Sequence, residues 1–178
     1  MLLRLRRVGF SLALLIVLWL PSRLASPGYT RLDLVDLSTG RHLFTSVLPD
    51  GEPVQLTWTN SIFRQNFKEV FAARDGELVL IEVTVTDPND PYQMPVRPVD
   101  VDDLYHVGGA FTAKGLEKPF HDVIYRIGEI GDPHLRVQGQ VIGFKQEVGF
   151  GGRIHLTTRQ PTFYERLLPE PLLRKLAR

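Results

Sequence analysis

Hydrophobic and polar residues alternate through most of this chain with the period of two that marks half-buried β-strands. Leu32 and Leu34 alternate with Asp33 and Val35 from Tyr29 onward, and Ser38-Thr39-Gly40 reads as a turn. A second strand is predicted over His42–Leu48, ending at Pro49-Asp50-Gly51. In a third, over Val54–Thr59, Val54, Leu56 and Trp58 share one face while Gln55, Thr57 and Thr59 share the other. The strongest hairpin signal is Phe67–Arg74, Asp75-Gly76 and Leu78–Thr86, because Asp-Gly suits the tight turn that matches strand twist. Leu78–Ile81 is a continuous apolar run, as expected of a strand buried on both faces.

The pattern breaks between residues 87 and 120. Four prolines in twelve residues, Asp87 to Pro98, exclude a helix interior or a central strand. The stretch reads as a long crossing loop, with further turns at Gly108-Gly109 and Lys114-Gly115. Strands resume at Asp122–Ile127, His134–Phe144 and Arg153–Thr158, the last preceded by the glycine turn Gly149-Phe150-Gly151-Gly152. That turn lacks the lysine and helix of a phosphate-binding loop. Thr162-Phe163-Tyr164-Glu165 has the hydroxyl and glutamate of a capping box. It predicts a short helix to Leu168, broken by Pro169 and resumed through Leu172–Ala177 as an amphipathic segment with basic Arg174, Lys175 and Arg178. The predicted fold is mostly β: an antiparallel β-sandwich or partly open barrel with a short C-terminal helix.

The first 26 residues stand apart. Arg4, Arg6 and Arg7 precede thirteen uncharged, mostly apolar residues, Val8 to Leu20. As a helix these span about 20 Å, short of the roughly 30 Å bilayer core, which suits a secretory signal or a short anchor. Arg23 three positions before a cut at Ala25 makes a poor cleavage site, so an uncleaved anchor stays open. Both readings export the remainder, which stays at the periplasmic side of the inner membrane if residues 1–26 persist as a single-pass anchor and is free in the periplasm if they are cleaved. This divides the chain into an N-terminal signal or anchor (1–26), an exported β domain (29–160) and a C-terminal amphipathic helix (161–178).

Charge then changes the picture of partners. Five of the 21 basic residues and no acid lie in the first 31 residues, leaving 16 basic against 20 acidic residues, a net charge of −4. A mildly acidic domain lacks the electrostatic footing for nucleic acid. With no cysteine, disulfides, thiolate metal sites and a cysteine nucleophile are excluded. The five histidines are scattered, and the acidic groups Asp87/Asn89/Asp90 and Asp100/Asp102/Asp103 lack the spacing of a calcium loop. Neither a cofactor, a metal site nor a catalytic set is expected. Ser61 has no histidine assigned to it by any motif.

The densest mixture of apolar and polar residues is Trp58 to Glu69. Asn60, Ser61, Arg64 and Glu69 are the candidate ligand-binding or structural polar cluster, with Glu69 set among Phe67, Val70 and Phe71. Read as a buried polar knot, with Asn60, Ser61 and Arg64 as donors to Glu69, the cluster predicts that Glu69→Gln lowers thermal stability. Read as a pocket, it would bind a small ligand or metal between the 58–69 hairpin and the 87–106 loop.

The same residues carry a resemblance. Trp58-Thr59-Asn60-Ser61-Ile62-Phe63 followed by Glu69, with Ile127-Gly128, His134–Val137, Gly151-Gly152 and Ile154–Leu156, resembles a bacterial exported domain family of unknown function over residues 29–158. Members are often encoded beside TAXI-type TRAP transporters, and their pattern is aromatic-Thr-His-Ser-Val-Glu with a second glutamate before the returning strand. The resemblance implies an exported, membrane-associated accessory or interaction protein without enzymatic activity, partnered with a transporter subunit. Asn60 in place of histidine and Phe63 in place of the first glutamate argue against metal or proton chemistry there.

Overall fold

The computed structural model describes residues 25–90, 92–169 and 172–173. The signal or anchor expected over 1–26 therefore lies almost wholly outside the described residues, as does most of the resumed C-terminal helix. No helix among the described residues is long and apolar enough to cross a membrane.

Among the described residues, eleven strands form two sheets. The first holds four, in the order β2 (His42–Pro49), β1 (Tyr29–Asp36), β11 (Arg153–Arg159) and β8 (Asp122–Arg126). The second holds seven, in the order β10 (Gln140–Gly143), β9 (His134–Val137), β3 (Pro53–Thr59), β4 (Asn66–Arg74), β5 (Glu77–Thr86), β7 (Phe111–Phe120) and β6 (Met94–Pro95). All pairings are antiparallel except β6 with β7. The described strands form no closed barrel.

One core joins the two sheets. Leu32, Leu34, Phe44, Ile154 and Leu156 come from the first, and Val54, Leu56, Phe71, Leu80 and Leu135 from the second, all in one buried cluster. The alternation dictates this: β1 turns Leu32 and Leu34 to the core and Arg31 and Asp33 to the opposite face. Asp75 and Gly76 both hold positive φ, 48° and 91°, which gives the β4–β5 hairpin its predicted tight turn. A side chain at Gly76 would meet the Gln160 backbone nitrogen at 2.6 Å, so the turn also needs glycine for room.

Three expectations are corrected. Residues 98–107 are a 3-10 turn, Pro98–Asp100, followed by α1 (Val101–Val107), not loop. Phe111–Phe120 is a strand, with Gly115 at φ 75° inside a bulge and Pro119 on a long edge that β6 covers only at Phe111 and Thr112. Proline is tolerated there because an edge strand has backbone donors to spare. The single strand expected over 134–144 is a hairpin of β9 and β10, turned at Gln138 and Gly139 with φ of 47° and 76°. A short α2 (Phe144–Val148) leads into the glycine turn.

The C-terminal helix α3 (Phe163–Leu167) forms as its capping box predicts. The Thr162 side chain accepts from the Glu165 amide, and Glu165 accepts from the Thr162 amide at 2.8 Å. Glu165 also accepts from Arg159 at 2.6 and 2.9 Å and from Arg31, whose guanidinium donates to both oxygens of Asp33 at 2.7 and 2.9 Å. Burial works against ionising Glu165, but its bonds to Arg159 and to the Thr162 amide, with the Arg31 charge, hold its carboxyl down to about 2. The helix thus docks on the polar outer face of β1 and β11 through charge.

Candidate functional site

Glu69 is the anomaly of the core. It lies in β4 on the face shared with Phe67 and Phe71, and its neighbours across the strands are Leu56 and Val83, both essentially buried. A strand position between two such residues would ordinarily carry an aliphatic side chain. Its carboxylate instead accepts a 2.8 Å hydrogen bond from the Tyr105 hydroxyl. Trp58 also lies near enough to favour the ionised carboxyl, and its indole N–H is the donor its side chain can offer.

The partners are held by an aromatic relay. Trp58 stacks on Phe67 with centroids 4.2 Å apart and planes 19° apart. Phe67 meets the Tyr105 ring at 5.3 Å, and Tyr105 meets Phe111 edge-on at 6.4 Å. Tyr105 reaches the site because α1 turns Val101, Leu104 and Tyr105 into the core. From the other sheet, Tyr125 of β8 packs against Phe144 at 5.4 Å and faces the same space.

Burial dominates the electrostatics. Desolvation raises the Glu69 carboxyl above its ordinary range, and the bond from Tyr105, the nearby Trp58 and the positive charge of Lys118 only partly offset this. Desolvation and the Glu69 charge also push the Tyr105 and Tyr125 hydroxyls upward, so both stay protonated.

Two clefts meet at Glu69. One, of ≈ 330 Å³, is walled by Trp58, Phe71, Phe120 and Tyr125, with Arg126 and Gly128 also on its lining. The other, of ≈ 490 Å³, lies toward α1 and is lined by Tyr105, His106 and Lys118, the last bonded to Asp102 at 3.1 Å. A larger concavity, ≈ 820 Å³, is a threonine-rich trough over Thr57, Thr84 and Thr112 on the seven-stranded sheet. Its Glu82 is already shared between Lys68 at 3.8 Å and Lys114 at 3.6 Å. The trough is open and internally paired, so the smaller apolar cleft is the better-formed site.

The four polar residues of the expected cluster are divided. Glu69 lies opposite Leu56, whereas Asn60, Ser61 and Arg64 belong to the β3–β4 loop beyond the Thr59–Asn66 pair, about four residues or roughly 13 Å along the strand. Asn60 caps that loop, its side-chain oxygen accepting from the amides of Ile62 at 2.8 Å and Phe63 at 3.2 Å. Arg64 holds the loop's left-handed residue, at φ 57°, and is exposed, as is Ser61. Asn60 and Ser61 line an adjoining cleft of ≈ 410 Å³, which shares Trp58, Arg126, Gly128 and Gly131 with the ≈ 330 Å³ cleft but does not include Glu69. Phe63 has a packing role, its ring lying 3.1 Å from where a side chain at Gly108 would begin. Tyr105 and Tyr125 were not singled out from sequence. The recurrence of Val101, Leu104 and Tyr105 at helical spacing was the available signal for the first.

Among the described residues, no three His, Cys, Asp or Glu side chains assemble into a metal-binding group. Asp87 and Asp90 accept from the amides of Asn89 and Tyr92, and Asp100 pairs with Arg97, so these acids serve their own turns. No family model, no curated protein and no solved structure matches this chain.

With Tyr105 as donor, the expectation for Glu69→Gln changes from a loss of stability to a pH-dependent effect. A carboxyl raised in the folded state keeps its proton there while the unfolded chain releases it, so stability falls as pH climbs from the unfolded to the folded titration and is level above. Glutamine retains the acceptor and removes this slope. Melting of Glu69→Gln relative to the parent should therefore rise from pH 4 to neutrality. A difference that does not change with pH would contradict the assignment.

Proposed function

We propose that this domain is an exported, non-enzymatic module that binds a small ligand in the cleft above Glu69. One observation carries the reading: a carboxyl set into an apolar strand face lines an open ≈ 330 Å³ cleft walled by aromatic rings. That volume falls at the low end of ligand sites, about 300–1,000 Å³, and few convergent polar groups on apolar walls are their usual composition. A purely structural knot gains nothing from leaving its carboxyl beside empty space.

An apolar partner interface at the C-terminal helix has less support, because α3 docks through Glu165, Arg31 and Arg159 rather than on an apolar face. Two facing sheets around one core favour the sandwich over the partly open barrel. Export and membrane attachment rest on the basic and apolar pattern of residues 1–26. An accessory role beside a solute transporter rests on the resemblance alone.

Gly128→Phe provides the test. No heavy atom lies within 4 Å of where a side chain at Gly128 would begin, and its φ lies outside the left-handed region, so a larger side chain starts in open space beside the cleft that Gly128 lines. The variant should melt within about 0.5 kcal/mol of the parent, as surface changes do. In a thermal-shift screen of small amines, amino acids, sugars and carboxylates at millimolar concentration, a compound that stabilises the parent by mass action should fail on the variant. A panel with no stabilising member, or one that stabilises both proteins equally, would remove the proposal.

A further inference from the structure

Two charged residues line the ≈ 330 Å³ cleft, Glu69 on its strand face and Arg126 at its rim. Glu69 is partly buried on the strand face between Leu56 and Val83, with Tyr105 bonded to one oxygen at 2.8 Å. A carboxylate offers about four acceptor sites, so capacity remains toward the cleft. The Arg126 side chain, at the end of β8 opposite Arg153 of β11, is exposed and makes no hydrogen bond or ion pair among the described residues. The other charged groups near Glu69 lie toward α1, where Lys118 is answered by Asp102 and where His106 lines the neighbouring cleft. Between Glu69 and Arg126 the walls are Trp58, Phe71, Phe120 and Tyr125.

From this placement we propose that the cleft receives a small zwitterion of the amino-acid or betaine class, its ammonium against Glu69 and the aromatic faces and its carboxylate at Arg126. The proposal rests on the binding reading above. Aromatic faces attract an ammonium, most strongly where water is excluded. An ammonium would also give the desolvated Glu69 carboxylate the counter-charge that its strand neighbours deny it. A guanidinium with its fork free matches a carboxylate through two parallel hydrogen bonds. A simple anion would meet Glu69 uncompensated, and a simple cation would leave Arg126 unused.

Four probes of nearly one shape separate these contributions: glycine betaine, choline, 3,3-dimethylbutanoate and 3,3-dimethylbutan-1-ol carry both charges, the positive charge, the negative charge and neither. Calorimetric titration of the full chain in a non-ionic detergent at pH 8 should rank glycine betaine first, by about tenfold or more over each of the others. Glu69→Gln should erase the advantage of glycine betaine over 3,3-dimethylbutanoate, and Arg126→Gln its advantage over choline. Affinity for glycine betaine should rise with pH through the Glu69 titration and should not do so in Glu69→Gln. Equal binding of the neutral alcohol, or tightest binding of 3,3-dimethylbutanoate, would overturn the zwitterion while leaving a binding cleft. Silence from all four at millimolar concentration would also overturn it, and the Gly128→Phe comparison then decides separately whether the cleft binds anything.

Discussion

Phe111→Ala should lower the unfolding free energy by about 3–5 kcal/mol, the range for deleting a buried aromatic side chain. Phe111 is 1% exposed and opens β7 opposite Val85. Its edge supports the Tyr105 ring, which bonds Glu69 and leans on Phe67. Truncation leaves a void under Tyr105 as well as losing transfer energy, so two effects should appear together. The urea midpoint should fall, and the pH dependence assigned to Glu69 should change because its donor is no longer held. Phe111→Leu refills most of the volume and should recover more than half of the loss. A midpoint change worth less than about 1 kcal/mol would mean that the ring does not bear on the core as described.

Arg31→Met should cost about 3 kcal/mol. Removing one member of a buried pair strands the other, a loss of about 3–5 kcal/mol where water is fully excluded. Arg31 is 5% exposed but lies only one side chain deep beneath Glu165, so the lower end applies. Asp33 would keep only the Thr45 hydroxyl at 2.8 Å, whereas Glu165 would keep Arg159. Lysine should not rescue, because one ammonium cannot reproduce two parallel bonds to Asp33. The double variant Arg31→Met/Asp33→Leu should be more stable than Arg31→Met alone, since it removes the stranded charge. A double variant less stable than the single would show that Asp33 has another essential partner.

What could be read from sequence follows the physics of local signals. The strands β1 and β3 announced themselves by alternation, β5 by its continuous apolar run, the β4–β5 turn by Asp75-Gly76 and α3 by the Thr162/Glu165 pair. The elements that escaped are those where tertiary context overrode a local rule. Gly115 and Pro119 interrupt the alternation of β7, yet a bulge and a free edge accommodate both. Gln138 adopts a left-handed turn conformation that its residue type rarely announces. In α1, seven residues beginning near Asp102 and Asp103 were masked by their acidic, proline-flanked setting.

The same limit applies to the site. Glu69 and Trp58 stood out because a carboxylate on an apolar strand face needs an explanation. Their decisive neighbours, Tyr105 and Tyr125, lie 36 and 56 positions further along the chain from Glu69 and arrive through α1 and β8. Asn60, Ser61 and Arg64, close to Glu69 in sequence, are carried away from it by the direction of β4. Proximity along the chain misled where strand register separates residues quickly.

The central claim is that the cleft above Glu69 is a binding site, and the Trp58 indole N–H reports on it directly. The chain has two tryptophans, and Trp19 serves as an internal reference. In proton–nitrogen correlation spectra of the full chain titrated with small zwitterions, amines and carboxylates, a binding compound should move the Trp58 indole signal saturably. It should leave the Trp19 signal in place, and the shift should vanish in Gly128→Phe. A Trp58 signal that stays fixed throughout, or moves identically in Gly128→Phe, would contradict the account.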